Sequence, residues 1–233
     1  MKSKRKLLVL PSLLLAACLL IASNANAGII LGMADSNIGS STNNQLFSNL
    51  FSGDDVFGRG GSGDWTLTNW SSRIGANGGN FSSASTLTAA ALTGMEWVVA
   101  STNRAFSASE LSALVDFVSG GGSVAVIGEG PIYSTINANA NAILSALGSA
   151  MSFLGVQSSG TPTIASDPLT AGVTSFSGGY TGSISGGTAL VSYGQNVAVA
   201  YETVDGEIPA PATLALMGLG LVGIGFARKT KAA

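Results

Sequence analysis

The chain of 233 residues contains no histidine and a single cysteine, Cys18. Without imidazole, Ser-His-Asp and Cys-His catalysis are excluded, and so is histidine metal ligation. Beyond Cys18 there is no thiol, so the rest of the chain has no disulfide, no thiol nucleophile and no thiolate metal site. Charge is scarce as well, at 9% of residues, and it is unevenly spread. Between Gly28 and Ile208 there is no lysine, and Arg59, Arg73 and Arg104 face all twelve acidic residues, which leaves −9. Such a body is not a nucleic-acid partner, because it offers no cation cluster to neutralise phosphates and release counterions. No phosphate loop, no GxSxG elbow and no internal repeat is present, and no cofactor or metal is expected.

The apolar mass sits largely at the two ends. Lys2, Lys4, Arg5 and Lys6 precede an apolar run from Leu7 to Ile21, and Ala25-Asn26-Ala27 then supplies a small-x-small cleavage pattern. This reads as a signal peptide over residues 1–27, with Gly28 as the first mature residue. Two other routes stay open. Leu15-Ala16-Ala17-Cys18 is shaped like a lipoprotein signal that would acylate Cys18, although Leu19-Leu20-Ile21 continue the apolar run past it; an uncleaved anchor is the third.

At the other end, a linker over 205–211 holds Pro209-Ala210-Pro211, and the 16 residues Ala212 to Ala227 carry no charge. As a helix they would span about 24 Å, somewhat short of the roughly 30 Å hydrocarbon core. Arg228, Lys229 and Lys231, in the tail 228–233, form a basic stop directly after them. That stop favours a transmembrane segment over a core helix, and the positive-inside rule keeps the tail cytoplasmic and the body outside.

The Pro-x-Pro turn, Ala212-Thr213-Leu214-Ala215-Leu216, the glycine-rich apolar stretch and the basic cluster together resemble the PEP-CTERM sorting signal. That signal marks exported proteins of Gram-negative bacteria that make exopolysaccharide. The resemblance implies secretion, a membrane-anchored precursor, recognition by an exosortase-type protease, and residence at the cell surface or in the extracellular matrix. The family's central glutamate position is Ala210 here.

Within the body, Gly28 to Met33 reads as a buried strand, and Leu46, Phe47, Leu50 and Phe51 share one helical face. Residues 52–83 are rich in Gly and Ser and read as a strand or loop excursion containing Trp65 and Trp70. Glu96 to Ser101 is a second buried strand. Ser107-Ala108-Ser109-Glu110 is a capping box, followed by Leu111, Leu114, Val115 and Val118 at helical spacing and a triple-glycine stop. Val124 to Ile127 is a further strand, closed by Gly128-Glu129-Gly130. Ile136, Ala140, Ile143, Leu144 and Leu147 then mark another amphipathic helix. After Asp167-Pro168 the pattern becomes strand-like, at Thr188 to Val191 and Val197 to Tyr201.

Apolar strands alternating with amphipathic helices predict a doubly wound α/β domain over 28–204, with a mainly parallel sheet and extra strands at one edge. Trp97-Val98-Val99, the capped helix, the triple glycine, Val124 to Gly128 and Asp167 to Val173 resemble the class I glutamine-amidotransferase-like fold, of flavodoxin-like layout. Catalytic members carry a cysteine at the strand-to-helix elbow, assisted by a histidine. The turn here is Gly128-Glu129-Gly130, so that chemistry does not carry over and no catalytic residue is assigned.

Glu129 stands at the carboxyl end of a central strand, where open α/β sheets place ligands, and Asp35 follows the first strand on the same edge. The two are the candidate ligand-binding residues. Each also reads as an ordinary loop acid or one that accepts backbone amides. Asp54, Asp55 and Asp64 lack calcium-loop spacing. Trp65 and Trp70 suit a sugar platform or a core edge equally. The expectation is an exported surface or matrix protein with a structural or binding role, associated with exopolysaccharide in a biofilm. The alternative is a secreted, carboxylate-dependent hydrolase acting on carbohydrate.

Overall fold

Short apolar strands and capped helices alternate through residues 28–39, 41–60 and 64–204, which the computed structural model describes. These belong to one unit, Asn26–Gly206. Cys18, Ala25, Ala27, Pro209, Ala210, Pro211, the 212–227 segment, Arg228, Lys229 and Lys231 lie outside the described residues. Among the described residues, no helix is long and apolar enough to cross a membrane.

The parallel strands are β1 (Gly28–Met33), β2 (Asp55–Arg59), β3 (Asn80–Ala84), β4 (Trp97–Ala100) and β5 (Ser123–Ile127). The helices are α1 (Asn44–Phe51), α2 (Trp65–Ala76), α3 (Ala108–Ser119) and α4 (Ser134–Ala146). The strand order is β3-β2-β4-β5-β1. A long strand, β10 (Asn196–Val204), then runs antiparallel to β1, from Gly28↔Val204 to Met33↔Val199. It carries β8 (Ser183–Ser185) and β9 (Thr188–Tyr193), which hold β6 (Ser152–Leu154) and β7 (Pro162–Ile164). The sheet is therefore mixed, a parallel block joined at one edge to an antiparallel one.

Alternate residues of each strand serve opposite faces, as the two-residue period demands. Leu31, Met33, Val99, Ala125 and Ile127 pack with Leu46, Phe47, Leu50 and Phe51 of α1 and with Trp70 and Ile74 of α2. Ile30, Val98, Val124 and Val126 pack with Leu114 and Val118 of α3 and Ile143 and Leu144 of α4. The N-terminal β1 takes the last place in the parallel block, beside β5. One consequence matters for the site. β1 and β5 are neighbours, yet the chain leaves β1 toward the face of α1 and leaves β5 toward the face of α4.

Residues 52–83 depart from the strand-or-loop expectation, because they contain β2, α2 and β3. Helix α2 starts where Asp64 caps it, its carboxylate accepting from the N–H groups of Thr66 and Leu67 at 3.1 and 3.4 Å. Leu67, Trp70 and Ile74 are its inward stripe, and the intervening Thr, Asn, Ser and Arg residues disguise it in the sequence. The sugar-platform reading of Trp70 is overturned: the ring is fully buried and packs edge-on to Phe47 and Phe51 at 5.0 and 6.0 Å. Strand β3 closes on β2 because Gly58 has no side chain; a Cβ there would come within 2.3 Å of the Phe81 ring. Asp64 and the pair Asp54-Asp55 stand at opposite ends of β2 and form no common cage.

Candidate functional site

The structure brings Asp35 and Glu129 to the carboxyl ends of the adjacent strands β1 and β5. Adjacent strands whose continuations go to opposite faces leave a crevice between them, the usual ligand position in open α/β sheets. Here that position is filled by protein. Asp35 is fully buried, and Glu129 is 5% exposed. The Asp35 carboxylate accepts from the Asn37 N–H at 2.7 Å and from the Thr181 hydroxyl at 3.1 Å. The Glu129 carboxylate accepts from both the N–H and the hydroxyl of Ser36.

A loop over 177–182 covers both acids. Gly182 donates to the Ala34 carbonyl at 2.7 Å, and Asn43 pins Ser177 through its carbonyl and N–H at 2.6 and 2.9 Å. The loop lies so close that glycine is required at its contacts. A Cβ on Gly182 would sit 2.3 Å from the Glu129 carbonyl, and one on Gly130 would sit 2.1 Å from the Tyr180 ring. On the other side, Asn137 of α4 clamps the Glu129 backbone, accepting from its N–H at 2.8 Å and donating to its carbonyl at 3.0 Å. Trp70 reaches the same turn, its indole N–H donating to the Ser36 carbonyl at 3.3 Å.

Burial, and then the neighbouring Asp35 charge, push the Glu129 carboxyl up to about 7, against the pull of the Ser36 and Gly130 N–H groups. The group is thus a proton holder poised near neutrality. Burial likewise raises the Tyr193 phenol, with Asp35 adding to it. Among the described residues no non-glycine residue has a positive φ, so Glu129 does not occupy the strained elbow on which α/β enzymes present a nucleophile.

A second buried acid was legible in the sequence only as a cap. Glu110 closes the capping box with Ser107, as expected, and also pairs with the buried Arg59, at 3.0 and 3.2 Å. Arg59 donates further to the carbonyls of Arg104 and Ala105 and lies 4.0 Å over the Phe106 ring. Burial pushes Glu110 upward, but the hydrogen bonds from Arg59, Ser107 and Leu87 outweigh it and hold the carboxyl at about 2. The partners missed in the sequence are Ser36, Thr181, Asn137 and Arg59. Asn137 left a trace, because it shares the inward stripe of α4 with Ala140 and Leu144.

The model of the PEP-CTERM protein-sorting motif matches residues 207–229. No curated protein and no solved structure matches the chain.

Proposed function

We propose that the chain is a surface-displayed protein without catalytic activity, whose body has a structural or binding role in an exopolysaccharide-containing matrix. The sorting motif carries the first half of this reading, since it implies export, exosortase recognition and a membrane-anchored precursor that reaches the cell surface. The condition of the acids supports the second half. A glycoside hydrolase needs two carboxylates flanking a sugar, at roughly 5–9.5 Å from each other with substrate between them. Asp35 and Glu129 instead face Thr181, Asn37 and Ser36, beneath the 177–182 loop. Their hydrogen bonds tie three segments of the fold together, a structural task. The amidotransferase-like layout of the body belongs to the same proposal, as does its vacancy in cysteine and histidine.

The test is intact mass and fractionation of the full chain in hosts with and without the exosortase, beside the Ala210→Glu variant. The expected result is a mature form that starts at Gly28, ends near Pro209 and reaches the matrix only when the protease is present, with faster processing of A210E. Retention of the C-terminal segment in both hosts, for both chains, would refute the sorting reading. Hydrolysis of the host polysaccharide that is lost in Glu129→Gln would refute the non-catalytic one.

A further inference from the structure

The parallel block ends at β3, which among the described residues pairs with β2 alone. In the β2–β3 ladder Asn80 donates to the Asp54 carbonyl at 2.9 Å and the Ala84 carbonyl accepts from Gly60 at 3.0 Å. With the register Asp55↔Asn80 to Arg59↔Ala84, residues 80, 82 and 84 spend their N–H and C=O groups on β2. Phe81 and Ser83 therefore point both of theirs away from the sheet. Natural edges are blunted by lysine, proline, bulges or covering elements. This strand, Asn-Phe-Ser-Ser-Ala, has no charge and no proline, and four of its five residues are exposed.

We infer that β3 is a self-association edge, which pairs antiparallel with β3 of a second copy about a two-fold axis through Ser82. This goes beyond the surface-display reading and does not depend on it. The register follows from the free groups. Centred on Ser82, Phe81 faces Ser83 of the other copy and the reverse, so all four outward groups of each strand are used, in four hydrogen bonds. Centring on Phe81 or on Ser83 joins only one such pair.

Charge favours the same arrangement. At the start of β3, Asn80 donates to the Asp55 carboxylate at 2.7 Å, and Glu96 accepts from the Asp55 N–H at 2.7 Å. Past its end, the Arg104 guanidinium donates to the Ser85 carbonyl. An antiparallel two-fold sets the Arg104 end of each copy beside the acidic Asp55–Glu96 end of the other.

Cysteine trapping tests the pairing in the full chain, with the parent chain as control for any linkage through Cys18. At the axis, Ser82 meets its own copy in a non-hydrogen-bonded pair with Cα atoms about 4.5 Å apart, within disulfide range. Two Ala84 positions lie roughly 14 Å apart in that register, beyond it. The expected result is that Ser82→Cys forms a disulfide-linked dimer under oxidation, while Ala84→Cys and Asn80→Cys alone stay monomeric. Mixing A84C with N80C should yield the heterodimer, since 80 faces 84 across the seam. Adding Ser83→Pro, which removes an outward N–H and no bond to β2, should abolish the S82C dimer. A monomeric S82C chain, equal self-linkage by A84C, or linkage in S82C that survives S83P would each overturn the inference. If S83P does not fold, the A84C–N80C mixture still decides it.

Discussion

Replacing Glu129 with glutamine should make the protein more stable at neutral pH and leave it unchanged in mild acid. The folded-state carboxyl sits at about 7, against 4.5 in a free side chain. Between these values the folded chain holds a proton that the unfolded chain has lost. The folded state then binds more protons than the unfolded, so stability falls as pH rises from 4.5 to 7 and levels off above. At 1.36 kcal/mol per pH unit, the whole interval is worth at most about 3 kcal/mol. Glutamine keeps an acceptor for the Ser36 N–H and hydroxyl and never ionises. The difference in Tm between Glu129→Gln and the parent should therefore open from near zero at pH 4.5 to roughly 6–12 °C above pH 7, for a domain of this size. Thermal denaturation followed by near-ultraviolet circular dichroism, at half-unit steps of pH, gives the comparison. Asp35→Asn provides the internal check: burial is the larger cause of the shift, so that variant should keep most of the slope. A Tm difference that is constant across pH, or one that closes as pH rises, would refute the assignment of Glu129 as a buried proton holder.

Glu110 should behave in the opposite sense. Its carboxyl is held at about 2 in the fold, so its contribution is complete above 4.5 and is lost as pH falls toward 2. Glu110→Gln leaves the Arg59 guanidinium buried without its counter-ion, and urea denaturation at pH 7 should show a loss of about 3–5 kcal/mol that shrinks in acid. An unchanged urea midpoint at pH 7 would contradict a buried pair. Gly182→Ala drives a methyl group into the Glu129 carbonyl and should cost about 1–3 kcal/mol. Gly75→Ala, in α2 with open space around it, should raise stability by about 0.5–1 kcal/mol. Tm values in which both alanines act alike would show that the 177–182 loop is not tightly docked on Glu129.

Local patterns determined much of this protein. The capping box at Ser107, the stripes at Leu46, Phe47, Leu50 and Phe51 and at Ala140, Ile143 and Leu144, and the apolar runs at Gly28, Trp97 and Val124 are contacts within one turn or one strand, and their periods are written in neighbouring residues. Placing Asp35 and Glu129 on one edge needed only that two buried strands run parallel. The sorting signal, too, lies in a continuous stretch. Three things required the folded chain. Helix α2 was hidden because polar residues fill the gaps in its inward stripe, so its burial depends on what packs there, namely Phe47 and Phe51. The strand order, which makes β1 and β5 neighbours, follows from connections that no local period encodes. The state of the two acids was decided last, by Thr181, which reaches Asp35 from 146 positions away, by Ser36 across 93 positions from Glu129, and by the glycines that let the 177–182 loop approach. Whether a carboxylate is open to a ligand or buried beneath a loop depends on distant residues arriving within hydrogen-bond reach, and only the tertiary structure brings them there.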